Sequence, residues 1–123
     1  MAELTRQRPM KTPLFALGMV VATPGALALT PDLRPYIWRH VTGDFGTCGQ
    51  YDQIELTAEE ARAGAWATSD DGKLNVFAIR NGGRVLSAYE THGGRLWVIT
   101  DGLDAGGNVT EDTVTTALLP DEY

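Results

Sequence analysis

With 123 residues, 43% of them hydrophobic and 21% charged, the chain has the size of one compact core and is too short for two. Its formal charge is −6, and Arg6, Arg8 and Lys11 against Glu3 make the first eleven residues +2, which leaves −8 for the rest. That balance disfavours nucleic-acid backbones as partners, while a single cysteine, Cys48, excludes an intrachain disulfide or a cysteine-rich zinc site and fits a reducing cytoplasm.

Residues 1–12 are polar and lack apolar periodicity, so they are expected to form a mobile leader ahead of a domain over 13–123, and Met10 competes with Met1 as the functional start. The apolar segment from Leu14 to Leu29 is interrupted by Gly18, Thr23, Pro24 and Gly25, too broken for a membrane span. Basic residues before it, with Ala26 and Ala28 as small residues near its end, give it some likeness to a secretory signal. Val20 and Val21 running into Thr23-Pro24 fit better a strand over Leu14–Ala22, followed by a capped turn over Ala26–Leu29. Thr30-Pro31-Asp32 repeats the cap pattern, and a helix is expected from Pro35 through Tyr36 to Thr42, stopped by Gly43, with Ile37 and Val41 on one face.

Gly46 to Leu56 has no period and reads as loop. Thr57-Ala58-Glu59-Glu60 has the spacing of a capping box and opens a helix from Ala58 to about Trp66. Leu74, Phe77 and Ala78 predict another turn or two of helix, ending at Asn81-Gly82-Gly83. The period then changes: Arg84–Thr91 and Arg95–Thr100 form a hairpin across His92-Gly93-Gly94, and Thr113–Leu119 supplies a third strand. The expected fold class is therefore α+β, a small antiparallel sheet built on a C-terminal three-stranded meander, with the first strand added at an edge and short helices packed on it.

Five blocks carry a family likeness: FALGMVVATPGALA from Phe15, RHVTGDFG from Arg39, NGGRVLSAY from Asn81, LWVITD from Leu96 and VTTALLPDEY from Val114. In their order and over roughly half of the chain, they resemble a family of small bacterial proteins labelled plasmid-related. The resemblance implies a cytoplasmic protein of bacteria or their mobile elements and brings no activity with it. The chain departs from the pattern in a long insert between Gly46 and Lys73, in a Gly-rich tip at Asp101–Asp112, and at Asp112 or Thr113, where the family would place an arginine before the final strand.

Chemistry could rest on few residues. His40, near its helix end, has the pKa range of a general acid or base, with Asp44 four residues on to orient it; a helix C-terminus also favours imidazole for structural reasons. Arg84 and Tyr89, with His40 and Thr100, would suit RNA cleavage if they converged, with the histidine as proton carrier and the arginine neutralising the phosphorane. Against this, period two puts Val85, Ser87 and Tyr89 on one face and Arg84 on the other unless the strand begins with a bulge. Trp97, mid-strand, reads as core or as a binding residue.

Asp101, Asp104, Asn108, Glu111 and Asp112 lack the spacing of a calcium loop, so no metal and no cofactor are expected. Two functions follow. The first is an acidic binding or regulatory accessory protein that meets a protein partner through Asp44, Glu59, Glu60, Asp70, Asp71 and Trp97. The second is a small RNA-cleaving hydrolase using His40, Arg84 and Tyr89.

Overall fold

A computed structural model describes residues 12–123, so the leader expected at the N-terminus lies almost wholly outside the described residues. The fold is α+β: a four-stranded sheet in the order β1-β4-β3-β2, where β1 is Met19–Ala22, β2 Gly83–Thr91, β3 Gly94–Leu103 and β4 Val114–Leu118. The meander β2-β3-β4 is antiparallel, as expected, and β1 joins its far edge parallel to β4, with Met19 beside Val114 and Ala22 beside Ala117.

The first strand is shorter than the expected Leu14–Ala22. At Gly18 the chain takes φ of +63°, and a Cβ there would stand 2.2 Å from the Thr113 carbonyl oxygen; the backbone bends where a side chain would not fit. Upstream of that bend, Leu14 N–H donates to the Val41 carbonyl and Ala16 N–H to the Gly107 carbonyl, so residues 14–18 run across one end of the sheet rather than along its edge.

Helix α1, Pro24–Leu29, is opened by the Thr23 hydroxyl accepting from Ala26 N–H, with proline in the first turn. Helix α2, Arg34–Val41, starts one residue before the expected proline. Helix α3, Ala58–Ala63, has the full capping box between Thr57 and Glu60; it stops before Trp66 because Gly64 takes φ of +93°, and a 3-10 turn covers Ala65–Ala67. Helix α4, Asp71–Asn81, is the longest, capped by the Asp70 side chain accepting from Lys73 N–H. It exceeds the expected one or two turns because Asn75, Val76, Phe77, Ala78 and Ile79 are all buried, which hides an amphipathic period.

The core lies on one face of the sheet. Val85, Ser87 and Tyr89 of β2, Leu96, Val98 and Thr100 of β3, and Thr115 and Ala117 of β4 point inward and are all buried, as period-two alternation demands. The apolar ones fall in two clusters, Val85 with Phe15, Val41, Phe45, Ala78 and Ile79, and Tyr89, Leu96, Val98 and Ala117 with Ala26 of α1. Burying each large apolar side chain contributes about 1.5–3 kcal/mol. Trp97 points to the opposite, outer face and is only half-buried, which corrects its reading as a core residue; its indole packs on Tyr123 with ring centroids 5.7 Å apart.

Candidate functional site

His40 arrives on the last turn of α2 and is fully buried against the inner face of the sheet. Its Nδ1 is 2.7 Å from Ser87 Oγ and its Nε2 2.9 Å from Thr100 Oγ1; Thr100 is 2.7 Å from Thr115 Oγ1, and Thr115 donates to the Leu17 carbonyl at 2.7 Å. Each hydroxyl has one proton, which orders this chain. Thr115 spends its proton on Leu17, so it accepts from Thr100; Thr100 therefore accepts from His40 Nε2–H, and the unprotonated Nδ1 accepts from Ser87. The imidazole is neutral and fully satisfied, and burial pushes its pKa down from 6.5 to about 3. Phe15 closes over the ring edge-on at 5.2 Å.

The other candidates do not join it in an open cleft. Tyr89 is buried, its hydroxyl donates to the Asp44 carbonyl at 2.6 Å, and burial raises its pKa. Arg84 lies at a register shift in β2 but stays on the outer face, where it pairs with Asp101 at 2.6 Å, bonds to the Tyr123 hydroxyl and sits over its ring. The sheet thus separates Arg84 from His40. Asp44 does not orient the imidazole: it pairs with Arg39 at 2.7 Å and accepts from Gly46 N–H, while the Arg39 guanidinium lies 4.4 Å from the Tyr89 ring centre.

The acidic candidates are largely spent on local structure. Glu60 closes the capping box and pairs with Lys73 at 2.8 Å, which lowers its pKa; Asp70 caps α4. Glu59 and Asp71 are exposed. Among the described residues no group of His, Cys, Asp and Glu is placed to hold a metal ion, no buried side-chain polar atom lacks a partner, and no helix is long and apolar enough to cross a membrane.

The two edges of the sheet differ in kind. Edge strand β2 is sealed: Asn75 of α4 accepts from Leu86 N–H at 2.8 Å and donates to the Leu86 carbonyl at 2.7 Å, and two residues on, Ala88 N–H donates to the Phe45 carbonyl while Thr47 N–H donates to the Ala88 carbonyl. Gly46 permits that approach, since a Cβ there would stand 2.0 Å from the Ala88 oxygen. Among the described residues, edge strand β1 has β4 as its one strand neighbour, and Met19, Val20 and Val21 are 68%, 46% and 40% exposed. It carries none of the charges, prolines or bulges that blunt such edges.

Beside β1, on the inner side of the sheet, an apolar groove of about 730 Å³ runs between the strand and α2, lined by Phe15, Leu17, Val20, Ile37 and Trp38. Trp38 is 48% exposed, and Leu27 of the neighbouring α1 is exposed as well. Among the described residues Arg34 is the one charged residue in the lining, and it is held bidentately by Asp32 at 2.9 Å through each of two nitrogens.

No family model, curated protein or solved structure matches the chain. The site is therefore read from its own geometry. On the outer face a second groove, about 510 Å³, lies between α4 and β2 and is lined by Leu74, Phe77, Asn81, Arg84 and Leu86; Arg84, the one cation among its described lining residues, is already engaged by Asp101 and Tyr123.

The open edge escaped the candidate residues named from sequence. Its signal was there in Val20 and Val21, a β-branched pair without a charged neighbour, but alternation alone does not tell a strand between neighbours from one at an edge. Asn75 had a signal too: a single amide inside the apolar run from Leu74 to Ile79.

Proposed function

We propose that the chain is a protein-binding module, an acidic accessory or regulatory protein that docks a partner on the open edge of β1 and its adjoining groove. The observation that carries this reading is the contrast between edges: β2 is sealed by an amide and a loop, whereas among the described residues β1 has no partner on its outer edge and exposes apolar side chains. Strand addition to such an edge gains main-chain hydrogen bonds, and a neighbouring apolar groove adds side-chain selectivity. The likeness to plasmid-related proteins supports a cytoplasmic role in bacteria or their mobile elements. The charge of −8 outside the leader supports a protein rather than a nucleic acid as partner.

The experiment compares tagged wild type with Val21→Lys, which puts a charge on the strand edge, and with charge reversal at the exposed Glu59 and Asp71. Capture of a protein, the untagged chain included, is expected to be lost with Val21→Lys and retained with the reversals. Capture indifferent to Val21→Lys overturns the reading. So does degradation of RNA at catalytic ratios by purified chain, abolished in a folded His40→Ala variant.

A further inference from the structure

We propose that the occupant of the β1 edge is a second copy of this chain, paired strand to strand about a two-fold axis perpendicular to the sheet. The proposal rests on the reading of β1 as a docking edge and names what docks there. Its first support is charge. The chain carries −6 overall, so two copies repel at long range, yet β1 is uncharged from Met19 to Ala22 and the one cation among the groove's described lining residues is neutralised by Asp32. A basic partner gains nothing electrostatic on this patch, and a second copy loses nothing there.

Geometry adds the second support. An isologous contact needs a surface complementary to itself, and a strand edge meets that condition, because antiparallel pairing of a strand with its own copy exchanges the same donors and acceptors. A two-fold axis perpendicular to the sheet keeps each face on its own side. The inner helices of both copies then lie on one side of an eight-stranded sheet, and the two apolar grooves meet across the axis with Val20 and Trp38 of each copy at the junction.

Area decides why the groove must take part. Stable interfaces cover about 800 Å² on each partner, more than a four-residue strand supplies alone. Met19, Val21, Leu27 and Trp38 are each 40% exposed or more and extend the contact on both sides of the strand.

The test is the mass of the full chain in solution by light scattering, from low micromolar to submillimolar concentration. Mass rising towards twice that of one chain, with the midpoint shifted about tenfold or more upward by Val21→Lys and by Trp38→Glu, is the expected result. Unchanged circular dichroism and unfolding midpoint at low concentration would establish that both variants fold. A single-chain mass throughout, or a dimer indifferent to both substitutions, overturns the proposal. If the chain stays single while Val21→Lys abolishes capture of another protein, the second copy is excluded and the docking edge stands. If neither mass nor capture responds to either substitution, both fail.

Discussion

Burial keeps the imidazole of His40 neutral down to about pH 3, against 6.5 in an unfolded chain. Above pH 6.5 neither state takes up this proton, and His40 adds no pH dependence. Between 6.5 and about 3 the unfolded state binds one proton more than the folded state, so stability falls as pH falls, by on the order of 5 kcal/mol across the window. Below about 3 this contribution is flat. Denaturant midpoints measured over that range should show the one-proton slope in wild type and lose it in His40→Gln, whatever that variant's absolute stability. Thr100→Val leaves Nε2–H without an acceptor and is expected to cost about 1–3 kcal/mol by the same measurement. The sequence placed Ser87 and Tyr89 together on one strand face and His40 near a helix end. Their function was not visible there, because a histidine in a polar chain and a histidine in a catalytic cleft use the same residue types, and only burial separates them.

Among the elements, α4 does more than cover the core. Through Asn75 it stands where another strand would, giving Leu86 both of its missing hydrogen bonds. Asn75→Ala strips the Leu86 N–H and carbonyl of their partners and should cost about 2–4 kcal/mol; faster amide exchange at Leu86 in the folded state would show that the edge had opened, and unchanged exchange would refute the role. Gly18→Ala forces a Cβ against the Thr113 carbonyl and out of a left-handed backbone, so it should detach β1 from β4 and lower the unfolding midpoint. The meander, the two caps at Thr23 and Thr57 and the edge position of β1 were legible from alternation and capping chemistry. The length of α4 was not, since a helix buried on most sides loses its polar stripe. Nor was the parallel sense of β1, because pairing with β4 depends on residues 95 positions apart, and nothing local in either strand encodes direction.

At the scale of the whole molecule, helices and loops cover the inner face of the sheet and seal one edge, while on the outer face the C-terminal turn lays Tyr123 on Trp97. Glu122 fastens that turn to the start of α1, accepting from the Thr23 hydroxyl at 2.6 Å and from Leu119 N–H at 2.8 Å, and these bonds lower its pKa. Because β4 lies between β1 and β3, a chain truncated after Asp112 should lose cooperative unfolding altogether rather than lose one strand's share of stability; a sharp thermal transition in that fragment would contradict this placement of β4. The same placement governs how the molecule is made. On the ribosome β1 emerges before its partner strand, which follows only about 95 residues later, at 5–20 residues per second roughly 5–20 s of synthesis. Through that interval Met19, Val20 and Val21 have no sheet to join, and the apolar edge left exposed in the finished protein is the stretch a nascent chain most needs kept apart from its neighbours on the same messenger.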